Sequence, residues 1–451
     1  MANPRHRARW HRQASRTTQA AILSKAVAIG VRFLMIPMAL RLLGPDRYGL
    51  WLTVGSLLLW IGFVGPGIGY GLINSLSDAY GRSDTLAMRR HISTGVTTIV
   101  FLGLLVLLIT PLLGLTSGAA RLLGVSHNPA LAEDARRLLA FTGILFGLTF
   151  CLEFITPICS GLQEGYLTSI ATASAAVLSL AGVAVTAWFG GSLITFAAVV
   201  GLPPILANCA LSVYVLRFRY PDLSPSWKLW NTESFRTLMS FGGWMFIVQI
   251  GDLAVFQSAN ILIANRFGPG EVPRYAVPAA IFMSITNICY SIVQPYWPAV
   301  TEASVRRDWR WIRDAMFRTI QIRTAIIVTA GIGMVLAGPI LIRAWLGSRF
   351  VPSQELLLAM SVYFIFVVWA GNTTVLLLGL GFVRARALMA LPVGFAHVAG
   401  FLWLSPVLGL AAIPVAGGFG VLLDCIVSAW IAVRYIHFQE RSAAEPEESL
   451  C

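Results

Sequence analysis

Charge is what this chain has least of. Only 12% of its 451 residues are Asp, Glu, Lys or Arg, roughly half the share of an ordinary soluble domain. Hydrophobic residues make up 57%, and mean hydropathy is +0.75. So few charges cannot solvate a water-exposed surface of this size, which excludes a soluble enzyme and a folded nucleic-acid binder. Cysteine is scarce too: there are six, five of them inside apolar runs and none in a CxxC pair, so neither a disulfide framework nor a zinc site is expected. Phosphate-binding GxxxxGK[ST], GxGxxG, HExxH and GxSxG patterns are all missing, and no cofactor, bound metal or nucleotide hydrolysis is expected. Long loops are also lacking. The longest outer one, about residues 116 to 136, is too short to fold as a catalytic domain.

What the chain has is apolar runs. A helix crosses the hydrocarbon core in roughly 20 residues, and twelve runs of that order are bounded by charges or Gly/Pro turns. Their limits are 20–43, 49–76, 92–115, 137–158, 167–189, 193–216, 237–263, 275–301, 320–346, 353–378, 385–405 and 411–434. Barrel strands would alternate polar and apolar residues, and these runs do not. The expected fold is an all-α polytopic membrane protein of about 12 transmembrane helices in two pseudo-symmetric six-helix lobes. A basic tail (1–19) precedes the N-lobe (20–216), a linker (217–236) leads to the C-lobe (237–436), and a short tail (437–451) follows.

Net charge is +13, from 33 basic residues, 31 of them Arg, against 20 acidic ones. With the N-terminus inside, 21 of the 33 fall on the inner side and 9 on the outer, and Lys25, Arg32 and Arg323 lie within spans. That split predicts both termini on the cytoplasmic side. The basic start before a long first run has no small-x-small cleavage site, so it is expected to remain as span one.

The chain looks internally duplicated. Arg41-Leu-Leu-Gly-Pro-Asp-Arg-Tyr48 follows span one, and Arg266-Phe-Gly-Pro-Gly-Glu-Val-Pro-Arg-Tyr275 follows span seven. A six-span offset preserves orientation and gives two parallel halves, with Gly44 matching Gly268.

Polar groups at span depth are costly and so are functional candidates. Lys25 and Arg32 are seven residues apart and share a helix face. In span seven, Gln249, Asp252, Phe256 and Asn260 follow 3-4-4 spacing and form a mainly polar stripe. These faces either line a cavity between the lobes or meet neighbouring helices through hydrogen bonds and an ion pair. Asp424 reads as a coupling-ion ligand or as a partner-bound buried acid. Glu153 and Arg323 read as snorkelling side chains, and His397 as a satisfied packing residue. Span two carries Gly62, Gly65, Pro66, Gly67, Gly69 and Gly71. That cluster predicts a bend at Gly65, Pro66 and Gly67, with Asn74 beyond it at the cavity edge, although close packing of small residues is the alternative. The run Arg306-Arg-Asp-Trp-Arg-Trp-Ile-Arg313 predicts an amphipathic helix on the inner leaflet, held to anionic lipid. Asn372-Thr373-Thr374 fits the glycosylation pattern but lies inside a span and carries no meaning there.

Several segments together resemble the polysaccharide biosynthesis protein family, the O-antigen-type flippases of the multidrug/oligosaccharidyl-lipid/polysaccharide exporter superfamily. They are Leu43-Gly-Pro-Asp-Arg-Tyr-Gly-Leu-Trp51, Gly67-Ile-Gly-Tyr-Gly-Leu-Ile-Asn74 with Ala79-Tyr-Gly-Arg82, Ser160-Gly-Leu-Gln-Glu-Gly-Tyr166, Gln294-Pro-Tyr-Trp-Pro298 with Asp308-Trp-Arg-Trp311, and Trp345-Leu-Gly347. The family often has an acidic residue ahead of the Gly-rich stretch, where this chain has Gly65. The resemblance implies a non-enzymatic transporter of the bacterial inner membrane, with a V-shaped cavity between its lobes. Its implied cargo is an undecaprenyl-diphosphate-linked oligosaccharide, and its implied partners are the glycosyltransferases and polymerase of the same pathway. A cation-coupled drug antiporter of the same superfamily, which would use Asp252 and Asp424, is the alternative reading, and a membrane-embedded glycan polymerase is a third.

Overall fold

The structure, a computed structural model, describes residues 4–444 except Phe63 and Pro295. The ends of the two expected tails, 1–3 and 445–451, lie outside the described residues. Every regular element among the described residues is helical. In order these are α1 (Pro4–Gly62), α2 (Val64–Gly81), α3 (Thr85–Leu115), α4 (Ser117–Leu122), α5 (Pro129–Cys151), α6 (Ile155–Gly161), α7 (Gly165–Phe189) and α8 (Leu193–Val213). Then come α9 (Thr232–Phe256), α10 (Ser258–Phe267), α11 (Val272–Val293), α12 (Tyr296–Val305), α13 (Trp309–Leu346), α14 (Gln354–Gly379), α15 (Val383–Leu408) and α16 (Ala412–Ala444).

Ten helical segments among the described residues are long and apolar enough to cross a membrane. Two of them are double. Leu23–Ile61 is interrupted at Gly44 and Val383–Glu440 at Gly409, so the twelve runs expected from sequence are all present as helix. Gly44 (φ 72, ψ 170) and Gly268 (φ 89, ψ 156) adopt the same backbone conformation, one that essentially only glycine populates. Their shared geometry, each ahead of a proline, supports the internal duplication. The two turns also touch: a Cβ on Gly49 would overlap the Pro269 carbonyl, and one on Gly270 would overlap Asp46 Oδ1.

The bend expected in span two, at Gly65, Pro66 and Gly67, lies close to Phe63, which is outside the described residues. Helix is described up to Gly62 and again from Val64, and Gly65, Pro66 and Gly67 are helical.

The chain divides into two compact units. The first holds Met1–Phe246 and Asn260–Val272, the second Ile247–Ala259 and Pro273–Cys451. In the first, a core built on Leu72, Leu76, Ile92, Ile158 and Leu238 joins α2, α3, α6 and α9. The segment after α8 is fastened to this unit. Arg89 Nε donates to Ser224 O (3.1 Å), and the Ser226 and Asn231 amides donate to Ser93 Oγ (3.1 Å) and Thr94 Oγ1 (3.4 Å). Glu164, 1% exposed, accepts from Tyr220 Oη at 2.8 Å and Arg219 Nη2 at 3.2 Å. Burial first, and then this bond, push the Tyr220 phenol well above its ordinary pKa.

The basic run does not make a separate surface helix. Arg307 takes φ 59, Asp308 Oδ1 caps the next helix by accepting from the Trp311 amide (3.1 Å), and α13 continues unbroken to Leu346. Trp309 and Ile312 are buried against Val300 and Ile436, and Arg313 Nη2 reaches Glu440 at 2.8 Å. The cap lets one long helix start at the basic run, and its apolar residues find protein partners on α16.

Candidate functional site

Each unit contains a cavity of ligand size lined by several helices. That of the first unit, about 410 Å³, lies among α1, α7 and α8. The break at Gly44 turns the second half of α1 so that Tyr48 and Trp51 join Arg32 in its wall. Trp51 meets Phe196 edge to face at 5.2 Å. Ala171, Ala175 and Ala176 keep the facing side of α7 small, and Thr172, Ser179 and Asn208 add neutral polar groups. Arg32 is the one charged group in the described lining, and its side chain is exposed.

The second unit's cavity, about 330 Å³, is bordered by α9, α11, α13, α14, α15 and α16. A Cβ on Gly251 would lie 2.5 Å from the Ala390 carbonyl oxygen, so α9 and α15 approach to backbone contact. That approach brings Asp252 beside Arg386, one turn before Ala390. Arg386 Nη2 lies 3.4 Å from Asp252 Oδ1, its Nη1 3.5 Å from Asp424 Oδ1, and its Nε donates to Thr374 Oγ1 at 3.0 Å. Asp424 is 4% exposed, whereas the Asp252 side chain is 50% exposed, facing the cavity. Arg323, 1% exposed, lines the same cavity. Its Nη1 donates to Asn372 Oδ1 at 3.0 Å, and Asn372 in turn donates to Met316 O (3.3 Å) and accepts from Thr319 Oγ1 (3.1 Å). No carboxylate pairs with Arg323 among the described residues, and its Nε has no hydrogen-bond partner.

The expected site residues are thus divided. Arg32 lines the first cavity, while Lys25 is exposed on α1 outside that lining, and Asn74 is exposed on α2 outside both linings. Asp252 and Asp424 come together in the second. Gln249 stays near them in sequence, but its Nε2 is buried with no hydrogen-bond partner among the described residues and lies outside the lining. Asn260 leaves the stripe altogether, because the helix breaks between Phe256 and Ser258, and it donates to Ser56 Oγ at 2.9 Å within the first unit. Arg323 does not snorkel. His397 is fully buried, and neither ring nitrogen has a hydrogen-bond partner among the described residues, so it packs there by shape alone. Two residues of this wall escape the sequence reading: Arg386, which it counts among the orienting charges, and Thr374. The discarded Asn372-Thr373-Thr374 triplet was the available signal, since it places a polar partner under each arginine. Among the described residues, no three His, Cys, Asp or Glu side chains gather to hold a metal.

A family model for polysaccharide biosynthesis proteins matches residues 16–304. The chain belongs to this family. Among curated family relatives, it is 25% identical over 299 residues to a Salmonella typhi protein named "Putative O-antigen transporter", covering 66% of this chain and 67% of that one. A Shigella flexneri protein of the same name is 23% identical, over 87% of this chain and 91% of its own. Solved structures extend the likeness to the whole fold. An inward-facing multidrug resistance MATE family transporter of the MOP superfamily superposes with a TM-score of 0.78 at 13% identity, covering 93% of this chain and 99% of that one. A MOP superfamily transporter from Pyrococcus furiosus, described as having a binding pocket of reverse polarity, gives 0.66 at 13% identity, with 95% of each chain covered. This family member is accordingly a multi-pass membrane protein that shares the fold of those MOP superfamily transporters.

Proposed function

We propose that the protein carries an undecaprenyl-diphosphate-linked oligosaccharide, a polysaccharide repeat unit, from the inner to the outer leaflet of the bacterial cytoplasmic membrane by alternating access, for surface polysaccharide assembly. The observation that carries this reading is the first unit's cavity, an apolar space whose one described charge is the exposed guanidinium of Arg32. A diphosphate carries about two negative charges and forms its strongest hydrogen bonds with cationic donors, and Arg suits phosphate oxygens better than Lys does. An inside-negative potential favours outward movement of each negative charge by about 2.3 kcal/mol per 100 mV, a driving force that needs no nucleotide. In this reading both termini are cytoplasmic, the basic start of α13 sits near anionic inner-leaflet lipid, and the cargo arrives from glycosyltransferases and leaves to a polymerase. The names of the curated relatives support the cargo class.

The antiporter alternative would rest on Asp252 and Asp424. Both carboxylates are engaged by Arg386, which makes them poorer cation ligands than two free acids. The deciding experiment reconstitutes the full chain in vesicles with a lipid-linked glycan labelled in one leaflet and follows its appearance in the other. Turnover that rises with an imposed potential is expected. Proteoliposomes that leave the glycan in place but expel a cationic dye against a proton gradient would replace this reading with the antiporter one.

A further inference from the structure

We infer that the second unit's cavity is a sugar site, taking an uncharged, hydroxyl-rich ring of the glycan; this rests on the flippase reading above. Its lining carries Arg323 and Arg386 against Asp252 and Asp424, so its formal charge is zero. An anion entering here meets the half-exposed Asp252 carboxylate and an Arg386 already shared between two acids. A cation meets two guanidinium groups. A neutral ligand with both donors and acceptors incurs neither repulsion, and this wall offers both. The Asp252 carboxylate is half exposed and accepts one long bond of 3.4 Å. Asn287 presents an exposed amide to the cavity, able to donate and accept at once. Arg323 has an unmet Nε donor, of the kind that calls for a reason when it is buried. Phe256 supplies an apolar surface for the C–H face of a ring. At about 330 Å³ the space is at the small end of ligand pockets, which run from roughly 300 to 1,000 Å³, and suits one or two rings rather than a whole repeat unit.

Two soluble probes test this by calorimetric titration of the full chain in lipid nanodiscs. One is the reducing glycan released by mild acid from the lipid-linked pool of the native cells, and the other is inorganic pyrophosphate. Asn287→Ala removes an exposed side chain that makes no side-chain hydrogen bond among the described residues, and Asp252→Asn keeps the shape of the wall. Each is expected to weaken glycan binding at least tenfold and to leave pyrophosphate binding within twofold, while Arg32→Ala does the reverse. Thermal unfolding of each variant in the nanodisc separates lost binding from lost fold. Wild-type protein that does not bind the glycan, glycan binding unchanged within twofold in both variants, or displacement of the glycan by pyrophosphate each overturns the sugar site. The flippase reading fails on a different result, the absence of lipid-linked glycan turnover by wild-type vesicles.

Discussion

The two cavities are similar in size, about 410 and 330 Å³, and opposite in how they handle charge. The first unit sets one exposed cation, Arg32, in an otherwise uncharged wall. The second holds two arginines that are 8% and 1% exposed, one bridged by two aspartates and the other held by an asparagine amide. An exposed, unbridged charge is available to a ligand. Arg386, buried and bridged, has already spent its donors on protein, and removing it leaves its partners stranded. Arg386 is therefore a structural brace, whereas Arg32 is placed to take the binding role proposed for it.

Arg386→Ala is the sharpest way to break that distinction. It strands Asp424, 4% exposed, and unbalances Asp252, and loss of one partner from a buried pair costs about 3–5 kcal/mol. Folded yield and thermal unfolding in detergent should both fall heavily. If Arg386→Ala unfolds like wild type and loses only transport, the second cavity is a charge site like the first. Asn372→Ala follows in size. It takes away the Nη1 partner of a fully buried arginine, and a hydrogen bond to a charged group contributes about 1.5–3 kcal/mol, read as a lowered unfolding midpoint. Arg32→Ala is expected to do the opposite, with unchanged unfolding and a lipid-linked glycan flux at least tenfold lower, equivalent to about 1.4 kcal/mol in the transfer step. Arg32→Lys keeps the charge and should recover part of the flux. Full flux in Arg32→Ala would remove the binding role from the first cavity.

The twelve spans were legible because uninterrupted apolar length is a one-dimensional property, and so was the pairing of Gly44 with Gly268, whose φ/ψ values only glycine readily adopts. Arg386 was not legible. It lies three residues into α15 beside Arg384, where a count of loop charges absorbs it, and only the contact of Gly251 with Ala390 reveals that it is drawn between two aspartates. Arg323 failed for a related reason. Snorkelling was inferred from its distance to a span end, but burial is set by neighbours, here Asn372 and Gly371 on α14.

Asn260 carries the smallest effect. A continuous helix would have put it in register with Asp252 and Phe256, on the wall of the second cavity. The break at Gln257 ends α9 at Phe256, and the amide of Asn260 instead donates to Ser56, a residue 3% exposed in the first unit. Its contribution is that of a neutral hydrogen bond, about 0.5–1.5 kcal/mol. Asn260→Ala should therefore lower the unfolding midpoint slightly and leave the affinity for released glycan within twofold of wild type. A tenfold loss of glycan affinity with an unmoved midpoint would return Asn260 to the binding face and place the polar stripe of span seven, whole, on the second cavity.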